Sequence, residues 1–273
     1  KDLDDAVSVT KAGDTWTLGV HIADVSNYVQ ENSALDREAL KRGTSVYLPD
    51  RVIPMLPKRL SNGICSLNPH EDRFTITAQM DVGMDGAVRS AQIYPAIIRS
   101  DERMTYGNVN RIIAKDEQLV RRYAHLLLMI DNMMGCSALI RKRRHALGAV
   151  NFETRESKVI VDEQGVPQDI VLRERGESER IIEDFMIAAN ECVAAYLKWM
   201  DLPAMYRVHE QPEPKKVRAF AKVAKTLGYS FIVNVSHVYP GQFQQLLEKI
   251  GASYEGNCRS KVMRAVGTPW MNK

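Results

Sequence analysis

The chain opens with Lys1-Asp2-Leu3-Asp4-Asp5-Ala6, three carboxylates within four residues, just before an alternating apolar stretch. Ionised together, such carboxylates repel one another unless something neutralises them. A divalent cation is the usual remedy, and an oxygen-only ligand set selects Mg2+ or Mn2+ over zinc. Two such ions roughly 3.5–4 Å apart can clamp the attacking and leaving oxygens of a phosphoryl displacement. In a regular strand Asp2 and Asp4 share one face and Asp5 points to the other, so bringing all three together calls for a bulge or a turn. An acidic chain end without a ligand is the alternative these residues leave open. His21, Asp24 and His209 are read as structural, because lone histidines are more often satisfied by hydrogen bonds than used as ligands.

The elements that must position these groups are legible in outline. Val7, Val9, Trp16, Leu18, Val20 and Ile22 alternate around Lys11-Ala-Gly-Asp14, which predicts a β-hairpin. Ser33–Arg42 reads as a short helix capped by Ser33. Residues 48–69, with Pro49, Pro54, Pro57 and Pro69, read as one long loop of the functional or lid-like kind. Residues 74–82 and 87–98 alternate around Met84-Asp85-Gly86, a second hairpin. Asp116–Leu147 reads as one long amphipathic helix with an acidic start, a basic end and Gly148 as its stop. Residues 150–152, 158–161 and 168–172 read as strands. Residues 177–200 read as a second strong helix, with an apolar face at 182, 185, 186, 189, 193 and 196. A short strand over 204–209 and helices over 214–227 and 241–250 complete the pattern. Strands come in blocks rather than in strict βαβ alternation, which predicts one α/β domain whose twisted, mixed or largely antiparallel sheet is flanked by helices.

Composition sets the class. The 273 residues are 45% hydrophobic and 26% charged, which excludes wholesale disorder and suffices for a sizeable core. The longest apolar run, near Leu126–Ile130, falls far short of the ~20 residues of a membrane span, and no secretory leader is visible at the start. Cys65, Cys136, Cys192 and Cys258 are scattered without a CxxC pair, which fits reduced thiols and predicts a cytoplasmic protein with no membrane association. The net charge of +3 does not by itself imply a polyanionic partner. Arg141-Lys142-Arg143-Arg144-His145 and the basic stretch 259–273 could contact phosphates, or could simply be a solvated helix end and a tail.

Further segments recur in a recognisable order. His21-Ile-Ala-Asp-Val25 is followed by Thr44-Ser-Val-Tyr-Leu-Pro49 and Ile53-Pro-Met-Leu-Pro57. Leu60-Ser-Asn-Gly-Ile-Cys-Ser-Leu-Asn-Pro69 and Arg103-Met-Thr-Tyr106 come next. Ile181-Ile-Glu-Asp-Phe-Met-Ile-Ala-Ala-Asn190 and Tyr206-Arg-Val-His-Glu210 close the set. With the acidic opening, this ordered set resembles the catalytic RNB domain of the ribonuclease II/ribonuclease R family over nearly the whole chain, on the side of the bacterial ribonuclease R branch.

The resemblance implies an RNB-type fold and a hydrolytic exoribonuclease that digests single-stranded RNA from the 3′ end to nucleoside 5′-monophosphates. It implies Mg2+, with Mn2+ as a substitute, and a monomer that threads RNA down a narrow channel whose walls can be basic without making the whole protein so. Asp2, Asp4 and Asp5 match family aspartates. By that analogy Asp5 shares the well-defined metal with a further aspartate that would precede Lys1. Asp2 helps bind the second ion, and Asp4 is the residue most needed for chemistry. Tyr47 and Phe152 match aromatics that stack bases, Tyr106 a tyrosine that positions the terminal nucleotides, and Glu183 a glutamate that contacts the terminal ribose. Taken alone, Tyr47 and Phe152 could equally be core residues, Tyr106 a packed surface tyrosine and Glu183 a rim charge. The resemblance further implies that residues 1–273 are one RNB catalytic domain, with cold-shock-like domains upstream and a downstream Ser-Pro-Ile-Arg-Arg-Tyr type segment and S1 domain. On that expectation the piece alone is inactive. A catalytically silent RNA-binding relative, or another Mg2+-dependent phosphoesterase, is the competing expectation.

Overall fold

A computed structural model describes residues 3–149, 156–173, 175–206, 208, 210–226, 228–234 and 237–253. The strands are β1 (Asp5–Ala12), β2 (Thr15–Ala23), β3 (Val46–Tyr47), β4 (Val52–Ile53), β5 (Asp72–Gly83), β6 (Val88–Arg99), β7 (Glu156–Val161) and β8 (Pro167–Arg173). The helices are α1 (Ala34–Arg42), α2 (Tyr106–Ile113), α3 (Glu117–Arg122), α4 (Leu127–Ala146), α5 (Glu177–Trp199), α6 (Pro214–Thr226) and α7 (Pro240–Ser253). They fall into two compact units, one from residues within 1–140 and 155–202, the other from residues within 141–154 and 203–273.

The first unit is built on an antiparallel sheet in the order β1-β2-β5-β6. Alternation decides its faces. Val9, Leu18, Val20, Ala78, Met80 and Val82 are buried together with Phe185, Ala188 and Ala189 of α5, and the register Val9↔Leu18↔Met80 puts them on one side of the pleat. The 84–86 turn touches this core from outside. Gly86 has φ +72°, and a Cβ there would collide with the Leu139 carbonyl, so a side chain is excluded both by conformation and by space. A second apolar cluster joins Ile112 of α2 to Leu119, Tyr123, Leu126 and Ile130. β7 and β8 form a separate antiparallel pair.

The second unit packs α6 against α7. Val217, Phe220 and Ala224 meet Val238, Phe243 and Leu246, and the rings of Phe220, Phe231 and Phe243 lie 5.0–5.3 Å apart. Such tilted and edge-on pairs add to area burial.

The structure bears out the mixed α/β architecture, both N-terminal hairpins, α1, α5 and the last two helices, and it corrects four local expectations. The predicted helix over 116–147 is broken. Asp116 caps α3 through the amides of Gln118 and Leu119, and Tyr123 leaves helical conformation at φ −106°, ψ 30°. A single 3-10 turn, Ala124–Leu126, leads into α4. An apolar stripe cannot distinguish a straight helix from a bent one, and across the bend Leu119, Tyr123 and Leu126 all join one buried cluster with Ile112.

The 48–69 segment is not structureless, because it holds β4, which pairs with β3, and a wide helical turn at Arg59–Ile64. Residues 204–206 and 208 form no strand, having no ladder partner among the described residues. The buried face of α5 runs through Ile181, Asp184, Phe185, Ala188 and Ala189, rotated from the expected stripe. The expected strand at 150–152, with Phe152, lies outside the described residues, as do Asp2 and His209.

Candidate functional site

Asp4 and Asp5 stand where the chain enters β1. Asp4 accepts a hydrogen bond on its backbone carbonyl from the Ala23 amide at 2.9 Å, and Asp5 pairs with Ile22 in the ladder. Asp4 is exposed and Asp5 half-buried. Asp5 falls on the face that carries Val7 and Val9, at the open end of the core where Ile22 and Ile76 follow in register. Burial pushes the Asp5 carboxyl up, the adjacent Asp4 charge pushes it further, and a hydrogen bond from its own amide works the other way. Ionisation of Asp5 is therefore opposed by burial and by the charge beside it. Among the described residues no three His, Cys, Asp or Glu side chains converge on one point.

The polar face of the same sheet carries His21. Its Nε2 lies 3.2 Å from Ser8 Oγ and its Nδ1 2.9 Å from Thr77 Oγ1, and Thr77 Oγ1 is 3.2 Å from Thr75 Oγ1. A Cβ at Gly19 would stand 2.6 Å from Ser8 Oγ and 2.8 Å from His21 Nε2, so glycine leaves room for this chain of contacts. Burial pushes the imidazole below its ordinary range. The arrangement matches the structural reading of His21. Asp24 likewise caps a short 3-10 turn through the Asn27 amide.

Tyr47 sits on the small β3–β4 hairpin opposite Val52, with 68% of its surface exposed. Among the described residues it belongs to no buried cluster, which speaks against the core-packing alternative for this residue. Tyr106 is the first residue of α2, capped by Thr105 through the Asn108 amide, and its side chain is partly exposed.

A polar junction ties Tyr106 to the start of α5. The Ser178 amide donates to Asn110 Oδ1 at 2.9 Å, and Asn110 Nδ2 donates to Glu179 Oε2 at 3.0 Å. The Ser178 hydroxyl, with one proton, is placed to donate to the Tyr106 carbonyl at 3.1 Å or to Glu179 Oε2 at 3.0 Å. Glu179 also receives the Gly176 amide at 3.1 Å, completing the cap of α5. Burial works against the Glu179 carboxylate, but the hydrogen bonds from Asn110, its own amide, Ser178 and Gly176 outweigh it and hold the carboxyl low.

Glu183, further along α5, is exposed and lies 3.7 Å from Arg175. Its neighbour Asp184 turns inward, buried, and accepts from Ser137 Oγ of α4 at 2.8 Å. Asp4 and Asp5 are thus neighbours at the entry to β1, with Asp5 on the Val7 and Val9 face, and the Tyr106 backbone is tied to the helix that bears Glu183. Sequence reading missed Asn110, Ser178 and Asp184. Only Glu179, three residues after Gly176, carried a local sign, the spacing of a capping box. The basic run ends α4, where cations suit the negative helix end, and His145 Nε2 lies 2.9 Å from Glu248.

Comparison with known proteins adds the lineage. The family model described as the RNB domain matches residues 1–272. Ribonuclease R of Thermotoga maritima is 47% identical over 253 residues, 92% of this chain and 35% of that protein. Ribonuclease R 1 of Lactococcus lactis is 45% identical over 251 residues, again 92% of this chain and 31% of that protein. The solved structure of Mycoplasma genitalium RNase R in complex with ribose-methylated single-stranded RNA superposes with a TM-score of 0.91 at 29% identity, covering 100% of this chain and 42% of that one. The chain thus spans about a third of the length of the curated relatives it matches. Among the described residues, no helix is long and apolar enough to cross a membrane.

Proposed function

The chain belongs to the RNB-domain family, and on that premise we propose that it is the catalytic portion of a cytoplasmic, monomeric 3′→5′ exoribonuclease that hydrolyses single-stranded RNA to nucleoside 5′-monophosphates. The observation that carries the reading is the adjacent pair Asp4 and Asp5, backbone-anchored at the mouth of β1, with the Asp5 carboxyl pushed up by burial and by the Asp4 charge beside it. Their all-oxygen chemistry fits Mg2+, or Mn2+, held by Asp5, Asp4 and Asp2. Bound there, the cation would supply charge neutralisation at the phosphate and an activated water.

In each turnover the oxygen of water joins phosphorus and the bond from phosphorus to the 3′-oxygen of the preceding nucleotide breaks. That oxygen takes a proton, leaving a shortened RNA with a 3′-hydroxyl. Asp4 orients the attacking water and holds its proton. Tyr47 and Phe152 offer π-faces to the bases, which bind every base alike and so suit digestion without sequence preference. Tyr106 positions the terminal nucleotide. Glu183 accepts from the terminal 2′-hydroxyl, the group that distinguishes RNA from DNA.

The test is Asp4→Asn in the full-length protein. A 3′-tailed single-stranded RNA, its DNA counterpart and a small phosphoester are incubated with Mg2+. We expect the unaltered protein to release nucleoside monophosphates from RNA alone, and the variant to bind RNA normally yet release none. Hydrolysis that survives Asp4→Asn at saturating Mg2+ removes the assigned role. Equal turnover of the small phosphoester moves the protein to another class of enzyme.

A further inference from the structure

The residues between and beside the acidic side chains are held from two sides. Asp4 bonds to β2 through its carbonyl and Asp5 stands opposite Ile22, but Leu3 turns both its backbone groups the other way. Its amide donates to Ser66 Oγ at 3.1 Å, and its carbonyl accepts from the Leu67 amide at 2.8 Å. β1 lies at the edge of its sheet, so these groups would otherwise face water.

Ser66 is built for this contact. It is 1% exposed. Its hydroxyl proton points to Asn68 Oδ1 at 3.4 Å, which leaves the oxygen lone pairs for Leu3. Its carbonyl accepts from Arg73 Nε at 2.9 Å and from the Asn68 amide at 2.8 Å. Arg73, on β5, is itself fixed by the Asp72 carbonyl at 3.0 Å and by Glu71. A continuous line of hydrogen bonds therefore runs from the sheet through Arg73 and Ser66 to the residue that separates Asp4 from Asp2.

We infer that Ser66 and Leu67, braced by Arg73, form a clamp that positions the acidic segment against the reacting phosphate. Two like charges at the start of a strand tend to splay apart, and the exposed end of an edge strand frays unless it is tied. The Ala23 bond alone fixes one side of Asp4 and leaves the segment free to pivot. The Leu3 bonds remove that freedom. Ser66 and Arg73 are positioning residues, acting on the reaction through Leu3 and Asp4. The inference deepens the exoribonuclease reading and rests on it.

The test uses Ser66→Ala, Ser66→Thr and Arg73→Gln in the full-length protein, with amide exchange followed without metal and kinetics followed with Mg2+. In Ser66→Ala we expect faster exchange at Leu3 and unchanged exchange along β2 and β5. We expect kcat to fall about ten- to hundredfold, the scale of a misplaced reacting group. The KM for RNA should stay within about twofold, because the base-stacking surface is untouched, and the Mg2+ midpoint should rise. Ser66→Thr retains the hydroxyl and should restore kcat. Arg73→Gln should lower kcat in the same sense but less.

Unchanged exchange at Leu3 in Ser66→Ala overturns the clamp whatever the activity. Fast Leu3 exchange with wild-type kcat and Mg2+ midpoint shows a tether without a positioning role. Loss of kcat, KM and sheet protection together shows a folding residue instead. A wild-type protein that does not shorten RNA overturns the exoribonuclease reading, and the exchange measurement still decides whether the clamp exists.

Discussion

Replacing Tyr47 by alanine separates binding from stability. The ring is largely solvent-exposed, lies in none of the buried clusters, and its cross-strand neighbour Val52 is itself exposed. A cross-strand pair of this kind contributes about 0.2–1 kcal/mol. Tyr47→Ala should therefore cost less than about 1 kcal/mol of folding stability, a Tm shift under about 4 °C for a unit of this size. Loss of one stacking partner costs about 1–3 kcal/mol per base. At 1.4 kcal/mol per decade that is a weakening of Kd by roughly 5- to 150-fold. Fluorescence anisotropy on a 3′-tailed single-stranded RNA reads the Kd, and thermal unfolding of the same samples reads stability. Adenine-rich and uracil-rich tails should lose affinity to a similar degree, since a π-face reads no sequence, and Tyr47→Phe should bind like the unaltered protein. Unchanged affinity in Tyr47→Ala would refute the stacking role. A loss confined to one base would refute sequence-neutral stacking and point to a hydrogen bond from the phenol.

Two further outcomes are expected. Burial pushes the His21 imidazole below its ordinary range, so the unfolded chain takes up its proton first as pH falls. Its contribution is complete above the ordinary imidazole pKa and is lost as pH drops through the folded pKa. The urea midpoint of the unaltered protein should fall more between about pH 7.5 and 5 than that of His21→Gln, and parallel slopes would refute this. Asn110→Ala leaves the Ser178 amide and one oxygen of Glu179 short of partners at a half-buried junction, a cost of about 1–3 kcal/mol. Urea unfolding should show it, and Ser178→Ala combined with Asn110→Ala should cost less than the two single changes summed, because they share one network.

The amino-acid sequence alone determined whatever depends on neighbours a few residues apart. Alternation fixed the hairpins β1–β2 and β5–β6, the Ser33 hydroxyl fixed the start of α1, and the 3.6-residue stripe fixed the extent of α5. The spacing of carboxylates at the start disclosed the candidate acidic cluster, and the ordered motifs the family resemblance.

Tertiary structure decided the rest. Whether Tyr47 faces solvent or core depends on how its two-residue strand pairs, which a lone aromatic in a proline-rich stretch does not encode. The break at Tyr123 stands where that ring joins the buried cluster around Ile112, with no proline or glycine there to announce it. Helix α2, with Gly107 in its first turn, has weak propensity and is held where Asn110 meets Ser178, 68 residues away. Leu3 meets Ser66 across 63 residues. Polar contacts over such separations leave no periodic trace in the chain, because their partners are brought together by the sheet and its core and by no local rule of spacing.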